Sequence, residues 1–184
     1  MVSFEFLAII LTGLGLTASI IYYAIVLRNS NKTQQLALET RRLQIIMDLD
    51  QEMKSFETYN RIIELLNMQW TDYDDFERKY GSDNNPENFA KRYSVLYSLN
   101  SLGILLKDGL FDADTAYDLL GEVSTIWLWN KFESVIMETR RRYNVPNALE
   151  YFEFLYKELM KVKESRGITP PVPETYTKYI PDNQ

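Results

Sequence analysis

Hydrophobic positions follow two regimes along the chain. From Phe6 to Leu27 the sequence reads FLAIILTGLGLTASIIYYAIVL, apolar on every side and without a charge. As a helix this run is about 33 Å long, close to the roughly 30 Å of bilayer hydrocarbon. A helix is required in lipid because backbone groups there must be satisfied internally. Thr12, Thr17 and Ser19 can return their hydroxyls to the preceding turn, so they do not spoil the run. Beyond Leu27 period-2 alternation is absent and helical spacing takes over, which predicts helices and no strand.

No Pro or Gly falls between Arg28 and Met53, so the first helix is expected to continue beyond the apolar run. Asn29, Ser30 and Asn31 are weak helix formers and mark where a kink or break would fall. Leu43, Ile46, Met53 and Phe56 follow, too broken a stripe for a coiled coil. Tyr59, Ile62, Ile63 and Leu66 predict a further helix ending near Trp70. Thr71 and Asp72 then cap a short one from Tyr73 to Tyr80, closed by Gly81. Asn85 and Pro86 open the next, with Phe89, Tyr93, Leu96, Tyr97, Gly103 and Ile104 on one face and its end at Gly109. Asp112 opens a helix expected to run to Tyr143, with a bend allowed at Gly121. Its inward stripe is Trp129, Phe132, Ile136 and Tyr143. Asn144-Val145-Pro146 breaks the chain and starts the last helix, whose apolar face runs through Leu149, Phe152, Leu155, Tyr156, Leu159 and Val162.

The expected fold class is therefore all-α: one N-terminal transmembrane helix followed by a cytoplasmic bundle of about five or six helices. The boundaries are 1–27 for a short outer tail and the membrane helix, 28–42 for a helical linker, 43–167 for the helical domain and 168–184 for a Pro-rich tail. A cleaved signal peptide needs a basic start, a shorter apolar core and a small-residue cleavage site. None of these is present. After the run come Arg28, Lys32, Arg41 and Arg42 against one acid, Glu39, and no basic residue precedes it. Positive-inside bias then places the N-terminus outside a cell membrane and the domain in the cytoplasm.

Composition narrows the chemistry. The chain has no Cys and no His, which removes disulfides, thiol catalysis, zinc fingers and His-based acid–base or triad chemistry. Net charge is −6, and residues 48–87 hold 11 acids against 4 basic residues, so a nucleic-acid backbone is not an expected partner. The acidic cluster Asp72–Glu77 fails as a calcium loop, because Phe76 and Glu77 fall where an oxygen ligand and a Gly are needed. No phosphate loop or serine-nucleophile motif occurs. No catalytic residue, metal ligand or cofactor is expected.

The residues singled out are for contact rather than chemistry. Gly13 with Thr17 and Gly15 with Ser19 form small-xxx-small pairs that let a second membrane helix approach. Arg28, Lys32, Arg140, Arg141 and Arg142 can meet anionic headgroups, although basic residues at a helix C-terminus also offset its dipole. In Ile126-Trp127-Leu128-Trp129 a central core helix is the leading reading, and a partner interface through Trp127 or Leu128 the other. Gly103 is expected to admit a neighbouring helix, and Asn100, on the same face, to need a hydrogen-bond partner that fixes register.

Three segments carry a resemblance: Trp70 to Gly81 (WTDYDDFERKYG), SLGILLKDGLFDADTAYDLLG from Ser101, and WNKFESVIMETRRRYNVPNALEYFEFL from Trp129. They resemble a family of uncharacterised prokaryotic proteins, labelled a domain of unknown function, that combine one N-terminal membrane helix with a cytosolic helical domain. The resemblance implies that fold and anchoring over roughly Leu43 to Val162, and no activity. The expected function is a non-catalytic accessory or scaffold subunit. Its partners are membrane lipid and another membrane protein, or a second copy through the membrane helix. Alternatives are a signalling element relaying through the first helix and an enzyme with an unrecognised acidic site.

Overall fold

A computed structural model describes residues 3–168. The Pro-rich tail, beyond Ile168, lies outside the described residues. Among the described residues there are seven α-helices, one π-helical segment and no strand: α1 (Phe4–Met53), α2 (Phe56–Leu66), α3 (Tyr73–Tyr80), α4 (Pro86–Lys107), α5 (Ala113–Leu120), a π-helical turn (Val123–Trp127), α6 (Leu128–Arg142) and α7 (Glu150–Ser165). The chain is all-α, with a long apolar N-terminal helix followed by a helical bundle. It divides into two units at Met47 and Asp48.

From Phe4 onward the first unit is the N-terminal part of α1. Asn29, Ser30 and Asn31 do not interrupt α1. Three weak formers cost only a few tenths of a kcal/mol each among better ones, and Thr33 Oγ1 returns a hydrogen bond to the Asn29 carbonyl at 2.9 Å. The helix ends where a competing cap is available: Ser55 accepts from the Thr58 amide at 3.2 Å and starts α2. Of the broken stripe, Phe56 is exposed where it opens α2, whereas Met53 is buried.

The second unit is built on α4 and α7, which share its most extensive contact. Leu99 of α4 and Phe152, Leu155 and Leu159 of α7 are closed to solvent, each contributing roughly 1.5–3 kcal/mol of burial before entropy. The buried face of α4 is Arg92, Val95, Leu96, Leu99, Leu102, Gly103 and Leu106. Tyr93, Tyr97 and Ile104, read from sequence onto that face, are partly exposed, because the face turns toward Arg92 and Leu99.

The caps expected at Asp72, Asn85 and Asp112 are present. Their side chains accept from the amides of Asp75 (2.8 Å), Asn88 (3.1 Å) and Thr115 (2.7 Å). The long helix expected from Asp112 to Tyr143 is instead two. Gly121, at φ +67°, stops α5, and the chain re-enters helix through a π turn closed by Trp127 N donating to the Glu122 carbonyl at 3.0 Å. Buried Ser124 and Thr125 return hydroxyls to the carbonyls of Leu120 and Gly121, so the break leaves those groups bonded. Trp129, Phe132 and Ile136 are buried, but Tyr143, at the end of α6, is 61% exposed.

The last helix begins four residues after Pro146, at Glu150, following Leu149 at φ +57°. Leu149 has no side-chain acceptor to cap α7. Asn100 of α4 supplies one from outside the helix: its Oδ1 accepts from the amides of Tyr151 at 3.1 Å and Phe152 at 3.2 Å. Asn100→Ala is expected to cost about 1–2 kcal/mol in urea unfolding, the range for a lost cap. Asn100→Asp should retain the stability, since a carboxylate suits a helix N-terminus. Equal stability of the Ala and Asp variants would refute this role.

Candidate functional site

A cleft of about 340 Å³ opens between α3, α4, α6 and the α6–α7 connection. Each wall has a local cause. Asp72 fixes the start of α3, which places Tyr73, Phe76 and Glu77 on its inner side. Spacing of three and four along α4 brings Phe89, Arg92, Tyr93, Leu96 and Tyr97 to the opposite wall. Phe132, Val135, Ile136 and Thr139 of α6 form the floor. Phe89 and Tyr93 stack at 4.2 Å, and Tyr93 and Tyr97 at 5.1 Å.

Arg92 is the electrostatic feature of this cleft. It is 5% exposed. Its Nη1 donates to the Tyr80 carbonyl at 3.1 Å and to Asn88 Oδ1 at 3.3 Å, which closes the C-terminal end of α3. Its guanidinium lies 4.5 Å from the centre of the Phe76 ring and 5.4 Å from that of Phe89. No carboxylate pairs with it among the described residues, and burial pulls its pKa below the usual value, opposed by the charge of Glu77. Burial likewise lifts Tyr73 to about 12, and its hydroxyl shares a 3.0 Å hydrogen bond with Thr139. The cleft is lined mostly by apolar and aromatic side chains, with few polar groups.

Sequence reasoning passed over Arg92. Its signal was an arginine on the inward side of an otherwise apolar helix, one turn after Asn88 and between Phe89 and Leu96, where a charge needs a specific reason.

The acidic cluster is a structural knot. Asp75 is buried, accepts from Lys79 at 2.7 Å and from the Thr71 amide at 3.1 Å, and pairs with Arg78. The Lys79 hydrogen bond leads in holding its carboxyl at about 2. Among the described residues no group of three or more acids is placed to hold a metal ion.

The other residues read from sequence are scattered. Gly13 and Gly15 face open space, and Thr17 and Ser19 return their hydroxyls to the carbonyls of Gly13 and Gly15, each at 2.8 Å. Arg28 and Lys32 are exposed. Arg140 is mostly covered, donating to Glu153 at 2.6 Å and to the Ala148 carbonyl at 2.9 Å. Arg141 pairs with Glu138 at 2.6 Å. Arg142 pairs with Glu138 and Asp74 and lies over the Tyr73 ring. Leu128 is 0% exposed, so it is core and not an interface anchor: it is the first residue of α6, directly after the π turn. Trp127 is half-buried.

Residues 6–159 match a family model described as a domain of unknown function (DUF4760). The match contains all three segments that carry the resemblance and extends back through the apolar run. No curated protein and no solved structure matches the chain.

Proposed function

The chain belongs to the DUF4760 family, and we propose that it is a single-pass membrane protein whose helical domain acts by binding, as a non-catalytic accessory or scaffold subunit of a larger membrane assembly. One observation carries the reading. The apolar part of α1 is long enough to cross a bilayer, and none of it is buried among the described residues. Large side chains such as Leu11, Leu16 and Ile20 are all more than half exposed, a surface that water does not tolerate and lipid or a partner helix does. The family match runs through this segment and does not start after it, which favours a retained anchor over a cleaved signal. Arg28 and Lys32 just past the apolar run support a cytoplasmic domain and contact with anionic headgroups. The open backbone at Gly13 and Gly15, beside hydroxyls already bonded to their own helix, supports packing against a second membrane helix. The inventory of side chains, without Cys or His, supports binding over catalysis.

The tests are direct. Full-length protein is expected to stay with membranes after carbonate washing. Leu16→Arg with Ile20→Arg should release it, since each charge at the membrane centre costs about 2.5–3.5 kcal/mol. The Cys-free chain allows single cysteines at Ser3 and Ser165 to be probed with a membrane-impermeant maleimide, and only the first should label in intact cells. Purified in mild detergent, the tagged chain should bring down a stoichiometric membrane partner, and Gly13→Leu with Gly15→Leu should lose it. Release of the unaltered chain by carbonate overturns the anchor. A monodisperse monomer from partner-containing native membranes overturns the subunit.

A further inference from the structure

We propose that the cleft around Arg92 is a binding site for a small aromatic monocarboxylate, whose anion meets the buried guanidinium and whose ring lies against the aromatic walls. The inference does not depend on the membrane anchor or on a protein partner.

Three features select this class. The first is an unanswered charge. Arg92 is nine-tenths buried and lines the cleft, yet only its Nη1 has hydrogen-bond acceptors among the described residues, and both are neutral. Glu77 on the same lining favours the charge from a distance but does not pair with it; a buried cation without a paired anion is costly, and a planar guanidinium with free N–H groups matches a carboxylate. The lowered pKa that burial gives Arg92 has the same origin.

The second feature is the wall. Tyr93, which lines the cleft, is stacked on both Phe89 and Tyr97, so its edge is the part left for a guest. Ring edges are the positive part of the aromatic quadrupole, so they favour the π-face of an aromatic guest and an anion together. Val135 and Ile136 on the floor add apolar surface. The volume, about 340 Å³, falls at the lower end for small-molecule sites.

The third feature is Glu77, the single acid on the lining. It makes no ion pair with Arg92, and its charge disfavours a guest with two negative groups. A monoanion is therefore preferred over a dianion.

The test uses the full-length chain in lipid nanodiscs, with 2-naphthoate as probe and 2-naphthamide as its uncharged counterpart, titrated calorimetrically against empty nanodiscs. The expected result is one naphthoate per chain, bound about tenfold or more tighter than the amide, as a charge-assisted pair gives. Arg92→Gln should abolish the preference. Because Arg92 also closes α3, Tyr97→Glu on the half-exposed rim serves as a second variant: losing a wall ring weakens acid and amide alike, and the added charge should weaken naphthoate by about a further tenfold relative to the amide. Absence of saturable naphthoate binding, equal affinities for acid and amide, a preference that survives in folded Arg92→Gln, or an undiminished preference in Tyr97→Glu would overturn the proposal.

Discussion

Gly103→Ala is expected to destabilise the full-length protein by about 2–3 kcal/mol, even though alanine is the better helix former by about 1 kcal/mol. A Cβ at this position would sit 1.9 Å from the Tyr151 carbonyl oxygen and 2.6 Å from its carbon. Both are backbone atoms, so no rotamer change relieves the contact. α7 would have to retreat by more than an ångström. That retreat lengthens the hydrogen bonds from Tyr151 and Phe152 to Asn100, now 3.1 and 3.2 Å, and opens the packing of Phe152 and Leu155. Gly103 and Asn100 therefore act on one seam. The double variant Gly103→Ala, Asn100→Ala should cost less than the sum of the two single ones, because the first change already pulls the cap apart. Urea unfolding monitored by circular dichroism measures all three. A Gly103→Ala protein as stable as the unaltered chain would show that α4 and α7 do not approach this closely.

That seam was half legible in the sequence. Gly103 and Asn100 lie three apart on an apolar helix, which says that a backbone comes near and that a polar group must be satisfied. The sequence does not say that the partner is the N-terminus of α7, because the contact spans 51 residues and depends on where α7 begins. That start was misplaced. Pro146 signals a first turn, yet the left-handed Leu149 delays the helix to Glu150. Boundaries set by local chemistry were readable: Asp72 with Gly81, Asn85 with Pro86, and Asp112 are recognisable from side-chain type alone. Boundaries set by tertiary demand were not. The π turn after Gly121 has no composition of its own, since Val, Ser, Thr, Ile and Trp fit an ordinary helical turn equally well. The cleft was illegible for the same reason. Arg92, Tyr73 and Thr139 come from three helices and no spacing links them.

Phe132→Ala gives the largest expected loss, about 3–5 kcal/mol. The ring is 0% exposed. It stacks on Trp70 at 5.4 Å and meets Phe76 edge to face at 6.4 Å, joining the α2–α3 connection, α3 and α6. Removing it takes away transfer energy and leaves Trp70 and Phe76 facing a void. That void opens into the cleft that Phe132 also lines, so water enters and part of the aromatic surface around it is wetted. Trp emission should shift to the red while the circular dichroism stays that of the folded protein, which separates wetting of the void from unfolding. Tyr143→Ala is the matched control. Helical periodicity assigns Phe132 and Tyr143 to one inward stripe, 11 residues apart, but Tyr143 is mostly in solvent. Its truncation should stay within about 0.5 kcal/mol. A gap of roughly 3 kcal/mol or more between the two variants would place the limit of the α6 core between Ile136 and Tyr143. Equal losses would mean that the stripe continues to Tyr143 and that the end of α6 is packed against something in the native protein.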